Sequence, residues 1–473
     1  MSHAAATLPV EPAPGVWATL REAIKGSHQD LTETPVGRAV LLLAVPMVLE
    51  MLMESVFAVA DIFFVGRLGA DAVATVGITE SLMTVVYAIA MGLSIGATAT
   101  VSRRIGEKDP DSAARAAVQS IVVGVLAGIV VAAVAITMAP SLLRLMGASD
   151  VVIRTGATFT RVMLGASVSV LLLFLINAIF RGAGDAAIAM RVLWFGNAVN
   201  LVLGPCLIFG IGPFPELGVT GAAVGTAIGR TSGVLYQLYR LTRGDSRIVL
   251  RRSHFGFDAR VMGSILRMSA VGIFQNFIAT ASWMGLVRIL TGFGSAAVAG
   301  NTIGIRIIMF ALLPSFGVSN AAATLVGQNL GARRPDRAEA AVWRAGLYNT
   351  FCLVAIGLVF LLFAPQLIWI FSEDPEVIPY GVRCLRIVAA GFLFYGYGMV
   401  LTQAFNGAGD TRTPTLIYLV CLWMVEIPLA WLLAYPVGLG PTGVFVAVSV
   451  SFSVLAVVSL FLFRLGSWKL KRI

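Results

Sequence analysis

The chain has 473 residues, of which 58% are hydrophobic and 12% charged, and its mean hydropathy is +0.89. A soluble globule carries about a quarter of its residues as charges, so a water-soluble fold is excluded. The net charge of +10 invites a nucleic-acid partner, but most of the 34 Lys and Arg sit in the termini and in alternate loops, which excludes that reading and makes the surplus a topology signal. Anionic lipid headgroups are a second use for it.

Residues 1–37 form an expected cytoplasmic tail without the apolar run and cleavage site of a signal peptide. Within it, Val16-Trp17-x-x-Leu20-x-x-Ala23-Ile24 has the spacing of a short amphipathic helix on the inner membrane face. Apolar runs long enough to cross a ~30 Å hydrocarbon layer follow at roughly 39–66, 72–97, 117–145, 156–180, 188–211, 217–242, 261–290, 296–322, 341–370, 381–405, 414–437 and 441–465. Arg67, Arg144, Arg154, Arg383 and Arg386 lie at the ends of odd-numbered loops, whereas the even-numbered loops and the termini are rich in Lys and Arg. The positive-inside rule then puts both termini in the cytoplasm, as an even number of spans requires.

The chain repeats itself at an offset of 225. Phe180-Arg181-Gly182-Ala183-Gly184-Asp185 returns as Phe405-Asn406-Gly407-Ala408-Gly409-Asp410, Gly106, Pro110 and Asp111 as Gly331, Pro335 and Asp336, and Gly69 and Ala72 as Gly294 and Ala297. The fold expected is all-α and polytopic: 12 transmembrane helices in two homologous six-helix lobes, 38–242 and 261–465, related by a pseudo-twofold axis along the membrane normal. A polar cytoplasmic linker, 243–260, is long enough to let the lobes rock, and 466–473 is a cytoplasmic tail. The Gly-Ala-Gly-Asp segments read as tight turns in which Asp185 and Asp410 cap the next helix. No Lys-Ser/Thr follows them, so they are not phosphate loops. The matched loops at 103–110 and 328–335 read first as helix stops and restarts, and second as gates.

The first span is unusual in carrying three acids, Glu50, Glu54 and Asp61. At 100° per residue, Glu54 lies about 40° from Glu50 and Asp61 about 20° back from Glu54, so all three share one stripe. Acids in hydrocarbon cost about 2.5–3.5 kcal/mol or more, which directs them towards protein or a watery cavity. Glu50 reads first as a helix-to-helix hydrogen-bonding group, Glu54 equally as structural or functional, and Asp61 as functional. Pro46 frees a backbone carbonyl one turn earlier. Cys206, Cys352, Cys384 and Cys421 fall in spans without metal-ligand spacing, and His3, His28 and His254 fall in a tail or loop. A metal site and an imidazole relay are therefore not expected. An intramembrane enzyme would need a nucleophile–base pair or paired catalytic acids, which this pattern does not supply.

Pro46…Glu50…Ala60-Asp61-x-x-x-Val65-Gly66-Arg67-Leu68-Gly69, the duplicated turns, and Asn200-x-x-x-x-Pro205-x-x-Ile208-Phe209-Gly210 resemble the multidrug and toxic compound extrusion (MATE) family over nearly the whole chain. The resemblance implies an antiporter that uses a Na⁺ or H⁺ gradient, with no other cofactor, to export organic, often cationic amphiphilic compounds. It is nearest to the DinF-type branch. The acids that the NorM branch places on its seventh and tenth helices align with Ala279 and Tyr395 here, whereas Asp61, Asn177 and Asn200 match the DinF-type polar groups. Two positions depart from that pattern: Gly204 stands for its second aspartate and Phe159 for its tyrosine. Na⁺ wants several oxygen ligands and negative charge, while a proton needs one acceptor, so H⁺ is preferred over Na⁺, with Glu54 a candidate for the missing charge.

The cation-coupling set expected is thus Asp61, Asn177, Asn200 and Glu54. Glu50, Glu426, Gln275, Asn276, Trp283 and Trp194 are the substrate-cavity candidates. Glu426 lies mid-span where the first half has Leu201, and the plainest reading pairs Glu80 and Glu426 with the deep Arg230 and Arg306. The partners implied are a small organic substrate and membrane lipid around a monomer in the inner (plasma) membrane. In the mechanism implied, a cation binds Asp61 in the outward-open state and releases the drug. A flippase of the same superfamily, moving lipid-linked saccharides, is the alternative.

Overall fold

The computed structural model describes residues 15–27, 29–244 and 246–471, apart from the side chains of residues 58, 59, 61, 62, 66 and 70. His3, His28 and the Asp61 side chain therefore lie outside the described residues. A surface helix, α1 (Val16–Lys25), precedes the first lobe. That lobe contains α2 (Val36–Gly66), α3 (Ala70–Gly106), α4 (Pro110–Leu145), α5 (Asp150–Gly165) continuing into α6 (Ser167–Ala183), α7 (Ala186–Phe209) and α8 (Val219–Arg243). The second lobe contains α9 (Ala259–Thr291), α10 (Ser295–Gly331), α11 (Pro335–Trp369), α12 (Ile378–Ala390) with α13 (Phe392–Gly407), α14 (Arg412–Tyr418) continuing through a π-helical stretch (Leu419–Glu426) into α15 (Ile427–Ala434), and α16 (Pro441–Arg464).

Among the described residues, ten continuous segments are long and apolar enough to cross a membrane, and α12–α13, bent by 61°, makes an eleventh. The twelfth is α8, whose 25 residues include Arg230, Gln237 and Arg240. The duplication is carried into three dimensions: α3 and α10 begin and end at matched positions, and α4 and α11 begin at Pro110 and Pro335. α3 and α10 run on to Gly106 and Gly331, well past the spans expected to end at 97 and 322. Hydrophobicity marks the hydrocarbon layer, while the helical hydrogen-bond ladder continues beyond it until a stop residue intervenes.

The turns obey the stereochemistry their residues dictate. Gly184 and Gly409 take φ +93° and +83°, a left-handed conformation that glycine reaches without strain. The expected capping role of their neighbours is corrected, because Asp185 and Asp410 make no side-chain bond to the amides opening the next helix. Instead Asp185 accepts from the Arg247 backbone N–H at 2.7 Å and lies 3.4 Å from its Nε, while Asp410 pairs with Lys471 at 3.2 Å. Each acid holds the segment that leaves its own lobe. Both residues are buried, and a charge-assisted bond to a cation compensates a buried carboxylate more strongly than bonds from neutral amides.

The linker is likewise docked. His254 is buried, its Nε2 3.2 Å from Asp111 and its Nδ1 accepting from the Arg251 N–H, and Gln119 of α4 donates to the Gly256 carbonyl at 2.7 Å. A buried imidazole thus does occur, in a structural setting.

The lobes meet at the end of the bundle that carries α1 and Lys471. Gln328 donates to the Gly182 carbonyl at 2.9 Å, and Arg103 to the Ala408 and Lys471 carbonyls. Glycines let backbones touch here: a Cβ on Gly106 would run into the Gln328 carbonyl, and one on Gly331 into that of Arg103. α2 and α10 also pack closely, with Gly317 against the Met47–Val48 peptide. Residues 26–27 and 29–34 lie across this junction. On the first-lobe side, Arg247 donates to the carbonyls of Ser27 and Gln29, and Lys108 pairs with Asp30. On the second-lobe side, Arg334 donates to the Thr32 carbonyl and Arg337 to those of Leu31 and Thr34.

Candidate ion-coupling site

Pro46 interrupts the ladder of α2, and Glu50 follows one turn later on the face turned into the first lobe. There it meets Asn177 and Arg181, which are four apart on α6 and so share one face. Asn177 Nδ2 and Arg181 Nη1 each donate to Glu50 Oε1 at 3.1 Å, and Oε2 has no hydrogen-bond partner. Gln237 of α8 then donates to Asn177 Oδ1 at 2.7 Å and to the Leu173 carbonyl at 3.0 Å. Glu50 is 2% exposed, so it is an ion-pair partner inside the lobe and not a group open to a cavity. The helix-to-helix reading of this residue fits the geometry.

One turn on, half-buried Glu54 accepts from Asn197 of α7 at 3.5 Å. Asn200, one turn beyond Asn197, donates to Thr226 of α8 at 2.8 Å. α7 and α8 approach closely here because glycines face each other: a Cβ on Gly225 would lie 3.0 Å from Gly204 Cα, and one on Gly229 2.6 Å from the Gly196 carbonyl. At Gly204 itself, a Cβ would lie 3.2 Å from Asn200 Oδ1. Phe159 is buried in an apolar cluster with Val65, Val76 and Ile208. Asp61 lies on α2 two turns past Glu54, its side chain outside the described residues.

The first lobe therefore sets Glu50, Asn177, Asn200 and Glu54 along a ladder of three separately bonded polar groups, Arg181–Glu50–Asn177–Gln237, Glu54–Asn197 and Asn200–Thr226, on α2, α6, α7 and α8. Arg181, Asn197, Thr226 and Gln237 belong to it and were not foreseen. Arg181 had a signal, since it is the one position of the repeated hexapeptide where the copies differ, with Asn406 as its counterpart.

The remaining candidates scatter. Trp194 is 44% exposed and donates to the Leu49 carbonyl at 3.2 Å, and half-buried Asn276 turns back to its own helix at Gly272. Gln275 is buried beside Tyr418, and Trp283 packs on the second-lobe core. Glu426 is buried against Ser282 of α9 at 2.7 Å. The expected four-way pairing is corrected, because Glu80 interacts with Arg306 and Arg230, and Glu426 is not among them. Arg230 also donates to the Tyr87 hydroxyl at 2.8 Å. No group of His, Cys, Asp or Glu able to hold a metal ion occurs among the described residues.

The probable multidrug resistance protein NorM of Thermotoga maritima is 26% identical to this chain over 452 residues, covering 95% of this chain and 97% of the relative. The probable multidrug resistance protein YoeA of Bacillus subtilis is 24% identical, covering 94% and 97%. The multidrug export protein MepA of Staphylococcus aureus is 23% identical, covering 90% and 93%. A solved structure titled as an outward-facing conformation of a multidrug resistance MATE family transporter superimposes with a TM-score of 0.87 at 25% identity, covering 93% of this chain and 98% of that one. The MatE family model matches twice, at residues 46–206 and 272–432, once in each lobe. With both copies in place on a shared twelve-helix fold, the chain belongs to the MatE family.

Proposed function

We propose that this protein is a proton-coupled antiporter that exports organic, cationic and amphiphilic compounds by alternating access, with both termini in the cytoplasm. The observation that carries this reading is the ladder of polar groups inside the first lobe, leading from Arg181 and Glu50 past Glu54 to Asn200. Ionisable groups placed so deep in a membrane domain are costly and mark ion and substrate paths by default. The relatives named as a probable multidrug resistance protein and a multidrug export protein support the export of small organic molecules.

Asp61 is assigned as the ion-loading group, with Asn177, Asn200 and Glu54 around its path. Proton coupling is preferred because Gly204 and Phe159 bring no ligand oxygen where a Na⁺ cage would need one. Coupling arises because loading the acid favours one orientation of the lobes and drug binding favours the other; a ligand equally tight in both would drive nothing. The lobes touching at the end that carries α1 and Lys471 fit the orientation open to the opposite side.

The test is flux of a fluorescent organic cation in proteoliposomes under an imposed pH or Na⁺ gradient, with Asp61→Asn beside wild type. A pH-driven signal lost in the variant is expected. Transport driven by Na⁺ alone overturns the ion preference, and full activity of Asp61→Asn overturns the assignment of that residue.

A further inference from the structure

The second lobe contains a buried acid that the first-lobe ladder does not use. Glu426 ends the π-helical stretch Leu419–Glu426, in the middle of the span Arg412–Ala434, and is 2% exposed. Its hydrogen-bond partner is Ser282 of α9, at 2.7 Å from Oε2. The same Ser282 Oγ lies 3.1 Å from the Leu422 carbonyl, so one hydroxyl faces two acceptors. A serine hydroxyl has a single hydrogen, and a carbonyl can only accept. When that hydrogen goes to Leu422, the short contact to Glu426 is made by a hydrogen on the carboxyl itself.

The surroundings agree with a neutral acid. Elements α9, α14, α15 and α16 pack against the π stretch, and their charged residues are Arg260, Arg267, Arg288, Arg412 and Arg464. Arg288 is exposed and six residues past Ser282, Arg267 is exposed and fifteen residues before it, and Arg260, Arg412 and Arg464 stand at helix ends. Tyr395 of α13 also faces the acid, its hydroxyl directed to the Val448 carbonyl, and Cys421 lies beside it on the same stretch. Among the described residues no cation pairs with Glu426, and an ionised carboxylate left alone at this depth is costly. Packing does not demand an acid either, since Leu201 occupies the equivalent place in the first lobe. The π-helical winding, rare and concentrated at functional sites, is found on this copy of the repeat and not on regular α7.

We propose that Glu426 and Ser282 form a second proton-binding site, in the lobe opposite the first-lobe ladder. Loaded, the carboxyl O–H donates to Ser282 Oγ, whose own hydrogen satisfies Leu422. Unloaded, the proton has passed to water, Ser282 turns to donate to the carboxylate, and the Leu422 carbonyl loses that partner. A role for this proton in the transport cycle rests on the antiporter reading above; the binding site itself does not.

The test uses the full-length protein in lipid nanodiscs. Infrared difference spectra between wild type and Glu426→Gln should contain a protonated-carboxyl C=O band at neutral pH that titrates away in alkali. Ser282→Ala, which removes one hydrogen-bond partner, should shift that band. Wild-type and Glu426→Gln spectra that superimpose in the carboxyl region overturn the site, as does a band that persists at every pH at which the protein stays folded. Proton release on adding a fluorescent organic cation should fall in Glu426→Gln. Loss of the antiporter reading alone would appear differently, as an imposed pH gradient that drives no flux of the organic cation beside an intact Glu426 band.

Discussion

The Gln328 side chain crosses from the second lobe to donate to the Gly182 carbonyl of the first, at 2.9 Å and in a buried setting. Gly182 opens the Gly-Ala-Gly-Asp turn, so this bond ties a repeated motif of one lobe to a repeated loop of the other. Leaving a buried carbonyl unpaired costs about 1–3 kcal/mol. Gln328→Leu should therefore loosen the junction, raising amide hydrogen exchange at residues 100–108 by roughly fivefold or more. Unchanged exchange there would mean the lobes hold together without it.

The residues around Ser27 and Asp30 should release from the lobes in acid. Partial burial pushes the Glu22 carboxyl up, but the Ser27 hydroxyl and Arg38 guanidinium override it and hold it below its usual 4.5. Asp30 behaves likewise, with burial opposed by Thr32 and Lys108, and lies below its usual 3.8. Both carboxyls titrate lower in the folded protein than in the unfolded chain. Their contribution is complete above the ordinary values and is lost as pH falls through the lowered ones. Limited proteolysis at Arg21 and Lys25 should be steady from neutral pH down to about 5 and accelerate below about 4. Acceleration already near neutrality would contradict this assignment.

The two turn aspartates should differ in consequence. Arg247 is mostly buried against Asp185, whereas Lys471 is 43% exposed against Asp410. Asp185→Asn leaves the buried Arg247 guanidinium to the neutral carbonyls of Ser27 and Gln29 and should cost about 3 kcal/mol. Asp410→Asn frees a lysine that water can solvate, for about 1 kcal/mol or less. Thermal unfolding midpoints of the two variants in one detergent would rank them, and the reverse order would refute the reading.

Glu50 and Arg181 should behave as a coupled pair. Removing either charge alone, by Glu50→Gln or Arg181→Gln, leaves the other buried at a cost of about 3–5 kcal/mol. Making both changes together removes the stranded charge, so the double variant should unfold well above the temperature that additivity predicts. Additive losses would place the two side chains outside one another's influence.

Gly204 offers a gain-of-function test of ion choice. A side chain there points towards Asn200 Oδ1, which is not used in the bond from Asn200 to Thr226. Gly204→Asp should place a carboxylate beside that amide oxygen and make transport respond to an imposed Na⁺ gradient. Flux that stays indifferent to Na⁺, in a variant that still folds and transports, would show that the missing carboxylate is not what sets the preference.

The membrane character, the twelve spans and the two-lobe plan were legible in the residues, because hydrophobic run length and repetition are properties of the chain taken in order. The acids of α2 were legible too, since any carboxylate in an apolar run announces itself, and the left-handed turns followed from their glycines. Partner identity was not. Arg181 for Glu50, Ser282 for Glu426 and Arg247 for Asp185 depend on how far each helix is rotated about its axis and which neighbour it packs against, and positions far apart in sequence decide that together. For the same reason Asp185 and Asp410 looked like helix caps when read beside their own amides. Only the folded chain brings each of them the cation that ends its lobe.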